Sequence, residues 1–318
     1  MAGPAADHAA GPGKVAEWSN APDSKSGVPV SGTVGSNPTL SARYTTKTGP
    51  GPSFSLPVPR AAGHGPPRRP NPFYPADSEA AADAMIEFGH LTHVGLRRQL
   101  NEDTYYGDGE LGLWLVADGM GGHACGEVAS ALARETIVRE VRSGTPLAQA
   151  IRIADEEIIR VSRRRNDALP MGTTVVAARV QGQRYEVAWV GDSRAYLWRD
   201  GQLAQLSQDH SYVQDLIEQG TLTPEQARTH PHRNVVTQAL GVTDPNHLNV
   251  SMTAGELRPG MQLLLCSDGL TEEVDDHRIA DTLGGQDCSA QECVDTLVAA
   301  ALDGGGSDNV TAVLVRCQ

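Results

Sequence analysis

The chain has 318 residues and a formal net charge of −13 at pH 7, with a pI of about 5.2. This length allows one large domain or two small ones, and the acidity argues against a nucleic-acid interface, which needs a basic face. No run of about 18 apolar residues is present, so the sequence predicts no membrane-spanning helix. The five cysteines are an odd number without C-x-x-C spacing, which favours reduced thiols and a cytoplasmic location over a disulfide framework.

The first quarter of the chain differs from the rest. Residues 1–84 hold 14 of the 20 prolines, whereas residues 85–318 carry 19 Lys and Arg against 33 Asp and Glu. A segment so rich in Pro, Gly and Ser buries too little apolar surface to offset its chain entropy, so residues 1–84 are predicted to be a disordered leader. Within it, residues 16–27 and 35–43 resemble the translation of a transfer-RNA gene. We therefore expect a gene-model artefact and a natural start at Met85, with a genuine leader as the alternative.

The ordered part, residues 85–318, opens with a predicted strand over residues 85–93, followed by a charged segment. Two arginines and two acids lie within seven residues there, from Arg97 to Asp103. Such a segment is either a charged connecting loop or an anion-binding site. The planar fork of an arginine matches phosphate oxygens two at a time, and carboxylates beside it suit a cation.

The next feature is an apolar run that ends on a carboxylate. Leu113 to Ala117 reads as a buried strand, Asp118 follows it, and three glycines and His123 come within the next five residues. A charge at the edge of the core is costly unless it is paired or bound to a metal. The glycines let backbone approach closely, so that a carbonyl such as that of Gly119 can act as a ligand. The alternative is an ordinary Asp-Gly turn.

The middle of the chain combines helices with antiparallel strands. Helices are predicted over residues 124–143 and 146–165, strands over residues 172–180 and 185–190, and a hairpin over residues 195–206. Asp192 follows the second of these strands beside a glycine, as either a turn residue or a ligand. Residues 207–240 predict two short capped helices and a flap-like excursion over the site. The His230 and His232 pair in this flap is a weak metal motif, because no third ligand is near it in sequence.

The last third repeats the pattern of strand, carboxylate and glycine. Asp268 follows a buried strand, and Asp308 precedes the final strand after three glycines. Ser289 and Glu292 form a capping box for the helix between them, which is predicted to run to about Leu302.

Asp118, Asp268 and Asp308 share one description, since each lies where a buried strand meets a Gly-rich turn. With Asp192 they would form an acidic cluster if the strands lie side by side, and such a cluster repels itself unless cations fill it. Ligands that are all oxygen suit Mg²⁺ or Mn²⁺ better than zinc. No phosphate-binding loop, nucleophile elbow or zinc-protease motif is present.

On these residues the sequence resembles the metal-dependent protein phosphatase (PPM) family, in the form of the bacterial type 2C Ser/Thr phosphatases. The resemblance covers about residues 86–316. Its motifs occur in family order: Arg98-x-x-Asn101-Glu102-Asp103, Asp118-Gly119-Met120-Gly121-Gly122-His123, Gly172-Thr173-Thr174, Gly191-Asp192-Ser193-Arg194, Ser267-Asp268-Gly269 and Asp308-Asn309. It implies an α+β fold, a four-layer α-β-β-α sandwich with two central antiparallel sheets flanked by helices.

The resemblance also implies a role for each matched residue. Asp118 would bridge two metal ions, Mn²⁺ or Mg²⁺. The carbonyl of Gly119 would be a ligand of one ion, and Asp268 and Asp308 would be ligands of the other. Glu102 would be the acid that holds metal-bound water, and Arg98 would clamp the substrate phosphate. Asp192 would be a ligand of a third, weaker ion, with Asn234 as a helper.

The implied reaction is hydrolysis of phosphoserine and phosphothreonine by a metal-activated water, with no covalent phospho-enzyme. Animal-type members have a His where this chain has Met120, so the proton for the leaving oxygen is expected from His123 or from metal-bound water. Cys125 and Cys266 are then small core residues.

The expected partners are phosphorylated proteins, among them a cognate bacterial Ser/Thr kinase and its substrates, and the expected state is a monomer. One alternative is a catalytically silent binding module of the same fold, whose signature would be the loss of a metal carboxylate; none is lost here. Another is a two-metal nuclease, which conflicts with the acidic surface.

The proposed start at Met85 is tested by N-terminal sequencing of the native protein. We expect the first residue to be Met85 or its successor, because part of the preceding segment resembles the translation of a transfer-RNA gene. A native chain that begins at Met1 or Ala2 would contradict this expectation.

Overall fold

The computed structural model describes residues 85–121, 125–165, 170–285 and 288–318. The strands in these ranges are β1 (Ile86–His93), β2 (Asp103–Asp108), β3 (Leu113–Met120), β4 (Gly172–Thr173), β5 (Val175–Gln181), β6 (Arg184–Val190), β7 (Arg194–Arg199), β8 (Gln202–Gln205), β9 (Ser251–Glu256), β10 (Gln262–Cys266) and β11 (Val310–Cys317). The helices are α1 (Cys125–Arg142), α2 (Leu147–Arg165), α3 (Tyr212–Glu218), α4 (Pro224–Ala227), α5 (Asp268–Thr271), α6 (Asp276–Leu283) and α7 (Ala290–Gly304).

The strands form two antiparallel sheets. One has the order β1-β11-β10-β7-β8 and the other the order β2-β3-β5-β6-β9, with the short β4 paired to the end of β3. The first and last of these strands are neighbours in the first sheet, because β1 pairs along its whole length with β11. The hairpin between β7 and β8 turns at Asp200 and Gly201, both with positive φ, which is the two-residue turn that suits the twist of antiparallel strands.

Side chains alternate between the two faces of each sheet and thereby build the layers. On β3, Trp114 points into the core between the sheets, while Leu115 points into a second core beneath α1 and α2. On β10, Leu263 points into the core between the sheets, and Leu264 faces α6 and α7. Both faces of the central strands are therefore buried, which explains their continuous apolar runs. The predicted α-β-β-α sandwich is confirmed.

Local signals place the helix ends where they were expected. Ser289 and Glu292 make the predicted capping box at the start of α7, and Thr223 and Gln226 make another at the start of α4. In both, the side-chain oxygen of the cap accepts a bond from a backbone N–H that has no partner within the helix.

Three local features of the structure differ from the sequence-based expectation. The strand predicted over residues 172–180 is two strands, because the backbone N–H of Thr174 leaves the ladder and donates to the carbonyl of Asp118 at 2.8 Å. The strands β2 and β9 were not predicted. Asp268 is the first residue of α5 and not part of a simple turn.

None of the helices in the described ranges has the length and apolar character required to span a bilayer. The proposed leader, residues 1–84, lies outside the described residues, so its disorder and its origin stay predictions.

Candidate active site

Three strand ends bring acidic side chains together at one end of the sandwich. Asp118 lies near the end of β3, Asp268 follows β10 by two residues, and Asp308 precedes β11 by two residues. The carboxyl group of Asp118 lies close enough to that of Asp268 to hydrogen-bond with it when one of them is protonated, and the charge of Asp308 acts on both. The acids predicted at separate strand ends therefore share one cleft.

Burial and mutual repulsion make the ionised form of this cluster unfavourable. Burial, followed by the neighbouring carboxylates, raises the pKa of Asp118 and of Asp192 well above the usual value, and burial raises the pKa of Asp268 to about 6. Oxygen Oδ1 of Asp268 is buried and has no hydrogen-bond partner. A bound cation would stabilise such a group, and donors that are all oxygen suit Mg²⁺ or Mn²⁺. The residues at this cleft thus fit a divalent cation.

The carboxylates line the cleft without forming a closed ligand set. Within the part of the chain that is described, no three His, Cys, Asp or Glu side chains converge as a complete metal site. Asp308 instead pairs with Arg98, whose Nη2 lies 2.6 Å from Asp308 Oδ2. The guanidinium thereby supplies positive charge to one side of the acidic cluster.

Arg98 lies at the solvent-exposed rim of this cleft. Its side chain is 37% exposed and that of Asp308 is 27% exposed. Ion pairs of this exposure contribute only about 0–1 kcal/mol to stability. The guanidinium of Arg98 can therefore exchange the carboxylate for another anion at small cost, and its fork geometry suits two phosphate oxygens.

Glu102 reaches the cleft from the start of β2, where two glycines make room for it. A Cβ on Gly126 would lie 2.5 Å from Glu102 Oε1, and a Cβ on Gly119 would lie 2.1 Å from the carbonyl oxygen of Gly126. The first turn of α1 therefore packs directly on the end of β3 only because both positions lack a side chain. The backbone of Gly126 hydrogen-bonds to Glu102, whereas burial raises the pKa of this carboxyl.

Asp103 is a site residue to which the sequence analysis assigned no role. Its Oδ2 accepts hydrogen bonds from Ser267 Oγ at 2.8 Å and Thr311 Oγ1 at 2.7 Å, and its Oδ1 is buried without a partner. It pairs in register with Asp118 across β2 and β3, and burial raises its pKa to about 7. Asp103 therefore links the two sheets behind the acidic cluster. The sequence signals were its place directly after Glu102 and its position at the end of the Arg98-x-x-Asn101-Glu102-Asp103 motif.

Asn309 fastens the arginine-bearing loop to the start of β11. Its Nδ2 donates to the carbonyls of Val94 and Leu100, each at 2.9 Å, and its Oδ1 accepts from the backbone N–H of Glu102 at 2.8 Å. The segment that carries Arg98 and Glu102 is thus held against the segment that carries Asp308.

The flap, residues 207–240, covers a cavity that opens onto the cleft. This cavity has a volume of about 600 Å³, and Asp192, Asp268 and Asn234 are among its lining residues. The flap is anchored at its base by Arg194, whose Nη2 donates to Asp209 at 2.7 Å. Residues of the flap therefore line this cavity, and Asn234 is among them.

The histidines of the sequence analysis fall into two groups. His123 lies outside the described residues. The rings of His230 and His232 lie 5.7 Å apart and pack beside Tyr212.

Comparison with known proteins identifies the fold and the family. The family model for protein phosphatase 2C matches residues 96–284. The chain belongs to the protein phosphatase 2C family. The Ser/Thr protein phosphatase PstP of Mycobacterium tuberculosis is 39% identical over 241 residues, covering 74% of this chain and 46% of the relative. The chain thus spans about half the length of this curated relative. The phosphatase PhpP of Streptococcus pneumoniae is 34% identical over 248 residues, covering 72% of this chain and 97% of the relative.

Solved structures of protein phosphatase 2C relatives share this architecture. The crystal structure of PstP from M. tuberculosis aligns with a TM-score of 0.67 at 36% identity, covering 73% of this chain and 99% of that one. The phosphatase MsPP of Mycobacterium smegmatis aligns with a TM-score of 0.66 at 33% identity, covering 74% of this chain and 100% of that one. The family expected from the motifs is therefore confirmed, while the roles assigned to individual residues stay proposals.

The raised pKa of Asp103 predicts a pH dependence of stability in the presence of a chelator. The native state holds a proton on Asp103 up to about pH 7, whereas the unfolded chain loses it near the usual value of 3.8. The native state binds more protons in this window, so its free energy of unfolding falls as the pH rises. Asp103→Asn removes this titration and should gain about 2–4 kcal/mol relative to the wild type between pH 4 and pH 8.

Urea unfolding of both proteins at several pH values measures this difference. Asp303→Asn, at an exposed position near the end of α7, is the matched control and should follow the wild type. A constant difference between Asp103→Asn and the wild type across this pH range would contradict the assignment.

Proposed function

We propose that this chain is a metal-dependent protein phosphatase that hydrolyses phosphoserine and phosphothreonine. The observation that carries the proposal is the cleft in which Asp118, Asp268 and Asp308 converge. The Oδ1 atom of Asp268 is buried there without a hydrogen-bond partner. Arg98, beside it, can exchange Asp308 for another anion. Membership of the protein phosphatase 2C family, and relatives named Ser/Thr protein phosphatases, support it.

The proposed cofactor is Mn²⁺ or Mg²⁺, with two ions per site and a third, weaker one. The PstP catalytic domain has been crystallised in complex with two manganese ions, which supports this stoichiometry. Asp118, the carbonyl of Gly119, Asp268, Asp308 and Glu102 would hold the pair, and Asp192 the third. When bound, such ions activate a water as the nucleophile and offset the charge of the phosphoryl oxygens.

The protein's own groups position the substrate. Arg98 would leave Asp308 and place its fork on two phosphoryl oxygens, where it offsets charge that builds up in the transition state. Glu102, held between Gly126 and Asn309, would accept a hydrogen bond from the attacking water and orient it. No cysteine takes part, in keeping with the burial of Cys125 and Cys266.

The leaving oxygen of the substrate needs a proton. Met120 cannot donate one, so we propose His123, which follows it by three residues, as the donor. Water is the alternative source, and the flap cavity that opens on the cleft is large enough to admit it.

We propose phosphorylated proteins as substrates, among them a cognate Ser/Thr kinase and that kinase's targets. Ser/Thr phosphatase relatives from several bacteria support this substrate class. We further propose a monomer in the cytoplasm, where the five reduced thiols would be stable.

The proposal predicts that phosphate release from a phosphothreonine peptide depends on Asp308. With Mn²⁺ present, Asp308→Asn should lower kcat/KM at least about a hundredfold, because it removes a charged ligand and the ion-pair partner of Arg98. The matched control is Asp303→Asn, an exposed Asp at the end of α7 five residues earlier, which should keep wild-type activity. Chelator should abolish release by every active variant. A chelator-resistant activity, or equal losses in both variants, would refute the metal-dependent mechanism.

A further inference from the structure

Two cysteines outside the cleft lie in contact at the start of α7. Ser289 is the N-cap of this helix, so Cys288 is the residue before the cap and Cys293 is the fourth helical residue. These are the two positions whose side chains meet across a helix N-terminus in the hydrophobic staple. In this chain both positions carry thiols, and the two thiols contact each other at hydrogen-bond range.

The two sulfur atoms differ in access. Cys288 is the exposed member of the five cysteines, all of which lie in the described ranges, and Cys293 is buried beneath it. An oxidant in solution therefore reaches Cys288 first. Cys293 is shielded from solvent but already in contact with the sulfur that would be oxidised.

The guanidinium of Arg316 contacts both cysteines of this pair. Arg316, on β11, donates from Nη1 to the carbonyl of Cys288 at 2.7 Å and from Nη2 to Cys293 Sγ at 3.4 Å. Its Nε is fixed by Gln262 Oε1 at 3.1 Å. Burial raises the pKa of the Cys293 thiol, and the positive charge of Arg316 acts in the opposite direction. Cationic neighbours of this kind favour the thiolate, which is the reactive form of cysteine.

The other three cysteines are all buried. Cys266 is fully buried, and burial raises its pKa to about 12. Cys317 is also buried, near the end of β11, and Cys125 is buried at the start of α1. Among the five cysteines, only the pair at the start of α7 combines a solvent-exposed thiol, contact between two sulfur atoms and a neighbouring guanidinium.

We propose that Cys288 and Cys293 form a reversible disulfide when the protein meets hydrogen peroxide. The Cys288 thiolate attacks the peroxide, so that a sulfur–oxygen bond forms, the oxygen–oxygen bond breaks and one water leaves. The Cys293 thiolate then attacks the Cys288 sulfur, so that the disulfide forms and the hydroxyl group leaves as a second water. Two thiols lose two electrons and two protons to one molecule of hydrogen peroxide, and a dithiol restores them.

The disulfide would lock the start of α7 in its present geometry. This inference is independent of phosphatase activity, because neither cysteine lies in the cleft. It adds a modification site to an enzyme whose proposed reaction uses no thiol.

Mass spectrometry tests the proposal on the full-length reduced protein after treatment with hydrogen peroxide. Trypsin releases both cysteines on one peptide, residues 279–316, which has no internal Lys or Arg, while Cys317 falls on another. We expect this peptide to become about 2 Da lighter and resistant to iodoacetamide, and to accept two alkyl groups after reduction. Cys317→Ser, the matched control, should give the same result as the wild type.

Three variants make the assignment specific. Cys288→Ser, at an exposed position that tolerates the change, and Cys293→Ser should each abolish the loss of mass. Arg316→Gln removes the charge beside the sulfur and should slow disulfide formation on the order of three- to tenfold. It also removes a trypsin site, so its rate is followed on the peptide of residues 279–318 in the Cys317→Ser background. A wild-type peptide that keeps two alkylatable thiols, or gains oxygen without losing about 2 Da, would overturn the proposal. An unchanged rate in Arg316→Gln would overturn the role of the arginine.

Discussion

The structure depends on one electrostatic constraint, which is the burial of several carboxylates at the meeting point of two sheets. Asp103 and Asp118 face each other on neighbouring strands of one sheet, and Asp268 approaches from the other sheet. Burial raises the pKa of all three, so their ionised forms are unfavourable without compensating positive charge. A fold that merely needed stability would fill this junction with apolar side chains. The arrangement fits the divalent cations proposed as the cofactor.

Other features of the fold bring backbone and charge close to this junction. Glycines at positions 119, 126 and 269 remove side chains where strands and helix ends meet, and a Cβ on Gly269 would lie 2.0 Å from the carbonyl of Asn309. Asn309 in turn ties the segment of Glu102 to the final strand. The two sheets thus form the frame of the cleft, while the rim arginine and the flap lie at its open side.

Local chemistry made much of this predictable, whereas pairing between distant segments did not. The Asp200-Gly201 turn and the Ser289 capping box depend on neighbouring residues, and the structure has both as expected. Strand β9 has only alternating exposure at a sheet edge, so its sequence carries little signal. The role of Asp103 depends on Ser267 and Thr311, which lie 164 and 208 residues away along the chain. The strand-end acids were found because the same junction of strand and glycine recurs, but their convergence required the fold.

Titration of the metal-free, full-length protein with Mn²⁺ by isothermal calorimetry tests the central claim most directly. If the buried carboxylates are built for cations, the wild type binds two ions tightly, and its melting temperature rises with the Mn²⁺ concentration. Asp268→Asn, which removes the charge from the orphaned oxygen, weakens this binding by about ten- to a hundredfold while the chain stays folded. A folded wild type that takes up no Mn²⁺, or binds it equally well after Asp268→Asn, would contradict the account.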